Sequence, residues 1–85
     1  MDAVLAYNMF KEHDRIVLTS DIPQKGLKAG DVGTIVHVHQ DGEAFEVEFL
    51  TLEGDTAAIA TVLASQVRAV SNRDITHSRQ MELPV

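Results

Sequence analysis

The sequence predicts an all-β fold, and three observations support that prediction. Short runs of β-branched and apolar residues recur along the 85 residues, and turn-forming residues separate them. Residues 44–49, AFEVEF, alternate strictly between apolar and polar side chains, which is the period of a strand with one buried face. Between residues 15 and 70, no run carries the sustained period of an amphipathic helix.

The first strand is predicted at residues 15–19, RIVLT, where Ile16 and Leu18 share one face. A long loop follows at residues 20–30, because this stretch is rich in proline, glycine and lysine. We expect Leu27 to be the apolar anchor of this loop.

The second strand is predicted at residues 31–39. Its alternation predicts a core face made of four side chains: Val32, Thr34, Val36 and Val38. Ile35, His37 and His39 then lie on the opposite face, which we expect to be mostly solvated. Residues 40–43, QDGE, predict a hairpin connection, since the Asp-Gly pair supplies the positive φ that tight β-turns require.

The third strand, residues 44–49, carries the clearest alternation in the chain. It places Phe45, Val47 and Phe49 inward and the intervening glutamates outward. A turn is expected at residues 53–55, EGD, because glycine and aspartate favour turns.

The fourth strand is predicted at residues 56–61, with Ile59 as its main core residue. One short helical turn at residues 63–66 and a brief closing strand at residues 67–70 complete the pattern. Five short strands, a long loop after the first and a tight turn before the last are typical of a small SH3-like barrel, which hides its sheet edges by closing on itself. We therefore assign residues 15–70 to a five-stranded SH3-like barrel.

The two ends of the chain differ from the barrel. Residues 1–14 predict an N-terminal arm or a short helix, and residues 71–85 predict a flexible C-terminal tail, because apolar residues are isolated there. Val4, Leu5 and Phe10 would suit a homo-oligomer as easily as a contact with another protein.

Composition excludes several classes of site. The chain has no cysteine, which excludes disulfides, thiolate metal sites and a cysteine nucleophile. Its formal net charge is -6, and residues 15–70 hold eight acids against four bases, which disfavours nucleic acid and favours a protein partner. No apolar run reaches the length of a membrane span, so we expect a cytoplasmic protein.

A resemblance to a known family rests on five segments: residues 9–18, 21–23, 26–36, 45–49 and 66–68. Together they resemble a family of small uncharacterised bacterial proteins, described as a domain of unknown function, over residues 9–70. The resemblance implies an SH3-like barrel and no assigned chemistry. Members of such families are often encoded beside another small protein, which implies a complex-forming or antitoxin-like role.

Three patterns have a functional and a structural interpretation. Residues 30–36 resemble the glycine-containing loop and strand of RNA-associated KOW modules, although turn and strand glycines also explain them. His37 and His39 share a face and would need His13 or Glu48 as a third metal ligand, so we interpret them as solvated histidines and predict no metal or other cofactor. Similarly, the outward glutamates of the third strand are interpreted as solvated rather than catalytic.

The long loop is the preferred surface for a partner, because SH3-like barrels carry a ligand-binding loop at this position. Its predicted binding residues are Ile22, Pro23, Lys25, Leu27 and Lys28. The aromatic ledge that docks proline-rich peptides is missing, since the chain has no tryptophan. The sequence therefore predicts a non-catalytic protein-binding accessory module, with an antitoxin-like or complex subunit as one form and a KOW-like RNA-associated domain as the alternative. Such a module would associate through the loop at residues 20–30, through a strand edge, or through terminal arms that fold on a partner.

Overall fold

The computed structural model describes residues 10–82, and these residues form one antiparallel sheet of five strands. The strands are β1 (Arg15–Leu18), β2 (Val32–His39), β3 (Ala44–Leu50), β4 (Thr56–Leu63) and β5 (Val67–Ala69). Three 3-10 turns lie at Pro23–Lys25, Gln40–Gly42 and Ala64–Gln66. All five predicted strands are present, and their ends differ from the predicted ends by at most two residues.

The strand order is β4-β3-β2-β1-β5, so β1 pairs with both β2 and β5. This order and the connections between strands confirm the all-β, SH3-like class. The barrel is not closed, however, because β4 and β5 do not pair with each other within residues 10–82. After the 3-10 turn at Ala64–Gln66 the chain turns away from β4 and pairs β5 with β1, which leaves β4 at an edge of the sheet.

The core lies on the inner face of the curved sheet. Its most deeply buried large side chains are Ile16, Leu18, Ile35, Phe45, Val47 and Val62. The alternation of β3 predicted its inward residues correctly, since Phe45, Val47 and Phe49 are all buried. Leu27 is also buried, as expected of a residue that anchors the loop.

The sequence prediction of which β4 residues face the core is wrong. Ile59 is 49% exposed, whereas Ala60 and Val62 are buried. The register explains the difference, because Ala60 lies opposite Val47 and Val62 lies opposite Phe45. Since cross-strand partners point to the same side of a sheet, Ile59 must point outward.

The sequence prediction of which β2 residues face the core is wrong for the first half of the strand and correct for its end. The pairing with β3 shifts by one residue between Ile35 and His37, which is a β-bulge at Val36. Before the bulge Ile35 is fully buried and Val32 is exposed, the reverse of the prediction. After the bulge Val38 packs against the core, as predicted. One extra residue therefore exchanges the two faces of the strand.

Gly33 allows β2 and β3 to pack closely. A Cβ atom at this position would overlap the Val47 side chain and lie 2.9 Å from the ring of Phe49. Gly33 therefore has a packing role, in keeping with the explanation of residues 30–36 by turn and strand glycines.

The chain ends are described only in part. Most of the predicted N-terminal arm, including Val4 and Leu5, lies outside the described residues. Phe10 packs edge-on against Phe45 with 5.5 Å between ring centroids. Residues 71–78 are exposed, but Arg79 and Met81 pack against the loop between β1 and β2, so this part of the predicted tail is docked.

Candidate functional site

The loop between β1 and β2 carries the five predicted partner-binding residues. Pro23, Lys25 and Lys28 are exposed, and Ile22 is half-buried. Leu27 is only 3% exposed, so its side chain belongs to the core. Its role as the anchor of the loop agrees with this burial, whereas its role in partner binding stays a prediction.

The chain's own C-terminal segment covers one side of this loop. Arg79 donates two hydrogen bonds to the carboxylate of Asp31, Nε to Oδ1 at 2.9 Å and Nη2 to Oδ2 at 2.5 Å. Its Nη2 also donates to the carbonyl of Gly26 at 2.9 Å. Met81 lies beside Gly26, where a Cβ atom would be 3.2 Å from the Met81 Cε. Part of the predicted binding loop is thus already occupied.

The ion pair shifts the pKa of both partners away from their ordinary values. Burial by itself raises the pKa of Asp31, but hydrogen bonds from Arg79 and from the backbone of Lys28 outweigh burial and hold that pKa below its ordinary value. The hydrogen bond to Asp31 correspondingly raises the pKa of Arg79. Each shift favours the charged form of its group, so the ion pair persists over a wide pH range.

His37 and His39 lie together on the outer face of the sheet, with 4.5 Å between ring centroids. His39 Nε2 is 3.2 Å from Glu46 Oε2, and the Thr61 hydroxyl donates to the same oxygen at 2.5 Å. These two hydrogen bonds hold the pKa of Glu46 below its ordinary value, and the bond from Thr61 has the larger effect. The cluster is a polar patch that links β2, β3 and β4.

The patch does not include the third ligand that the metal hypothesis required. Across residues 10–82, no group of three His, Asp or Glu side chains is placed to hold a metal ion together. The residue beside His39 is Glu46 rather than Glu48 or His13. Nor does any helix in this part of the chain have the length and apolar character needed to cross a membrane.

A second surface is the free edge of β4, a strand that pairs only with β3 among residues 10–82. This strand is eight residues long, TAAIATVL, and contains no charged residue, proline or glycine. Natural proteins usually protect an edge strand with lysine, proline, a bulge or a covering segment, because its unpaired backbone groups can pair with another strand. The register irregularity of β4 is confined to its start, at Leu50 and Thr56.

The hydrogen-bond pattern identifies which backbone groups point outward from this edge. The N–H of Ala64 donates to the carbonyl of Glu43 at 3.0 Å, so this pair is hydrogen bonded. Bonded pairs alternate along an antiparallel ladder, which directs the backbone groups of Ile59, Thr61 and Leu63 away from β3. Leu63 fits this pattern, because its N–H donates to Gln66 Oε1 at 2.8 Å. Ile59 and Thr61 form the centre of the free edge.

Apolar side chains flank the free edge on its outer face. Ile59 is 49% exposed and Leu63 is 53% exposed, while Thr61 lies between them. At the Leu63 end the edge opens into a groove of about 900 Å³ that is also lined by Phe10 and Val38. The edge therefore offers both backbone hydrogen bonds and apolar contact area.

The charge of the molecule is distributed unevenly. No lysine or arginine occurs between Lys28 and Arg68, so the part of the sheet made by β2, β3 and β4 has none. β3 and the two connections beside it carry six acids: Asp41, Glu43, Glu46, Glu48, Glu53 and Asp55. The free edge of β4 thus borders an anionic half of the domain, and this charge pattern is readable in the sequence.

Comparison with known proteins adds a family and no activity. No curated protein and no solved structure matches the chain. A family described as a domain of unknown function, DUF4926, matches residues 12–69, which is most of the chain and contains all five strands. The protein therefore belongs to the DUF4926 family.

Proposed function

We propose that this domain is a non-catalytic accessory module that binds another protein along the free edge of β4. The observation that carries the proposal is the edge of β4, which is unpaired among the described residues: eight residues without charge, proline or glycine, with outward backbone groups at Ile59 and Thr61. An extended segment can add to such an edge as a further strand, since backbone hydrogen bonds supply affinity and neighbouring side chains supply specificity.

The β4 edge supports this function better than the loop between β1 and β2. Arg79 and Met81 already contact the loop, and Leu27 is buried, so less of the loop surface is free. At the edge, by contrast, the apolar side chains of Ile59 and Leu63 are about half exposed. Burying such side chains in a complex gains free energy at about 25 cal/mol per Å² of apolar surface.

The function is tested by a pair of variants at Ile59. Ile59→Pro removes an outward N–H without removing a hydrogen bond to β3, and edge strands tolerate proline at such positions. Ile59→Thr shortens the same side chain and keeps the N–H. We expect affinity capture from an extract of the native cell to recover one stoichiometric protein with the wild-type and Ile59→Thr proteins, and to lose it with Ile59→Pro.

The capture experiment has two results that would reject the proposal. The first is equal recovery of the partner by Ile59→Pro that circular dichroism shows to be folded. The second is salt-sensitive recovery of RNA in place of a protein, which would favour the KOW-like alternative.

An antitoxin-like form of this function makes a separate prediction. If the neighbouring gene encodes a toxic or enzymatic protein, mixing it with this domain should lower its activity at a stoichiometric ratio. Ile59→Pro should fail to lower that activity, whereas Ile59→Thr should retain most of the effect. Undiminished activity at a saturating ratio of wild-type domain would reject the antitoxin-like form and leave the binding module in place.

A further inference from the structure

We propose that the segment bound at the β4 edge is extended and carries lysine or arginine at alternate positions. The inference rests on the proposed function and adds the chemistry of the partner. It follows from the side chains that would surround an added strand and from the charge of this half of the domain.

Charge is the first argument. From β2 to β4 the chain carries six acids, two on β3 and four in the connections beside it, and no lysine or arginine. The only basic side chains of this part are His37 and His39. A cationic segment is attracted to such a surface from a distance, while an acidic segment or a nucleic acid is repelled. Electrostatic complementarity of this kind favours one partner over others and speeds association.

The register of the sheet is the second argument. Glu46 lies opposite Thr61, and Glu48 lies opposite Ile59, all on the outer face. A strand added to β4 would lie about 4.8 Å from β4 and about 10 Å from β3. Because Thr61 is short, a long basic side chain opposite it can extend across the strand toward Glu46.

Hydrogen bonding leaves these carboxylates able to accept more donors. Glu46 Oε2 accepts from Thr61, and Glu48 Oε2 accepts from the hydroxyl of Thr56 at 2.6 Å. Among the described residues, the Oε1 atoms of both glutamates have no hydrogen-bond donor. The exposed side chains of Ile59 and Leu63 would pack along the aliphatic stems of lysine or arginine.

The other side chains of an added strand would face inward beside small residues. Ala58, Ala60 and Val62 occupy the inner face of β4. The inward side chains of an added strand would lie next to these apolar residues, so apolar residues are expected between the basic ones. The expected pattern is therefore basic and apolar residues in alternation.

A second copy of this chain also has an uncharged edge, but it fits the electrostatics less well. Two copies joined through β4 would bring two anionic halves together, whereas a basic segment would neutralise one. We therefore assign the edge to a basic partner and make self-association an outcome of the test.

The test uses three synthetic eight-residue peptides on the full chain. One alternates lysine with valine, one alternates glutamate with valine, and one has four lysines followed by four valines. We expect the first peptide to bind at least tenfold more tightly than the other two in calorimetric titration. Bound peptide should shift the NMR signals of the Ile59 and Thr61 amides and slow their hydrogen exchange, because both N–H groups become paired.

Three variants separate the contributions. Ile59→Pro should abolish binding of the alternating lysine peptide, while Ile59→Thr should weaken it only severalfold. Glu46→Gln combined with Glu48→Gln keeps the shape and removes two charges. It should weaken binding about tenfold and reduce its dependence on salt.

The outcomes distinguish this inference from the proposed function. Equal binding of the lysine and glutamate peptides, or peptide binding that survives Ile59→Pro, would overturn the basic-segment inference. So would a concentration-dependent dimer that Ile59→Pro dissolves, since the edge would then belong to a second copy. If the lysine and glutamate peptides bind equally but Ile59→Pro abolishes the capture of a cellular protein, the proposed function still stands and only the basic-segment inference fails.

Discussion

Gly33 shows how one residue can set the spacing of two strands. Its missing side chain leaves room for Val47 and Phe49, which are both buried in the core. We expect Gly33→Ala to destabilise the protein by about 1–3 kcal/mol, the usual cost of inserting a carbon into a packed core. Urea denaturation measures this change in the free energy of unfolding.

A double-mutant cycle provides the control for Gly33. Val47→Ala removes the side chain that the new methyl group would overlap most closely. Gly33→Ala should therefore cost less in the Val47→Ala background than in the wild type. Equal costs in both backgrounds would contradict the close approach that the structure shows.

Two isoleucines test which face of each strand is buried. Ile35 is fully buried, and Ile59 is 49% exposed, although the sequence analysis placed them the other way round. Ile35→Ala should cost about 2–5 kcal/mol, as expected for a deeply buried side chain. Ile59→Ala should cost less than about 1 kcal/mol. A larger cost at Ile59 than at Ile35 in thermal or urea denaturation would restore the original assignment.

At the scale of elements, the sequence was most informative where alternation was complete. In β3 polar and apolar residues alternate without interruption, and the inward positions followed directly. In β4 the residues are almost all small or apolar, so alternation carried no information about its faces. In β2 the bulge at Val36 could not be recognised, because β-branched residues occupy positions on both sides of the shift. Because the sequence predicted a closed barrel, it did not identify β4 as the strand with a free edge.

The C-terminal segment illustrates a contact that local sequence cannot predict. Arg79 and Asp31 are separated by 48 positions, and neither residue belongs to a motif that would bring them together. Their ion pair is largely shielded from solvent, with 25% and 19% of the two side chains exposed. A bidentate arginine–carboxylate pair of this kind fixes both distance and orientation.

Acid should release this segment. The pKa of Asp31 is lower in the folded protein than its ordinary value of 3.8, so its stabilising contribution is complete above that pH and is lost as the pH falls through the folded value. We expect Asp31→Asn to lower the free energy of unfolding by about 1 kcal/mol at pH ~6. That difference should shrink as the pH falls below 3.8.

Arg79→Lys is the matched change on the other side of the pair. Lysine keeps the positive charge and loses the two parallel hydrogen bonds, so docking should weaken without being abolished. Hydrogen exchange at residues 79–82 should accelerate in both variants, and more in Asp31→Asn. Unchanged exchange in both would show that the ion pair does not hold the segment.

On the scale of the whole molecule, the anionic half and the free edge lie side by side. The edge itself has no charge, while six acids occupy the strands and turns beside it. A lysine at the centre of the edge is the usual protection of an exposed strand. We expect Ile59→Lys to raise the solubility of the isolated domain and to leave its unfolding midpoint within a few degrees of wild type.

Solubility is measured as the protein concentration that remains in solution after centrifugation during storage. Ile59→Thr serves as the control, because it reduces apolar exposure without adding charge. If both variants are more soluble than the wild type by the same amount, loss of apolar surface explains the effect. If neither variant is more soluble, the edge does not mediate association between copies.

The open edge also has a consequence for how the protein is produced. A strand that accepts a partner's backbone can equally accept the same strand from a misfolded neighbour, and repeated addition of identical strands is the route to fibrils. Occupation of the edge by the proposed partner would block that route. We therefore expect the domain to resist fibril formation when it is synthesised together with such a partner, and to be most prone to it when synthesised in excess.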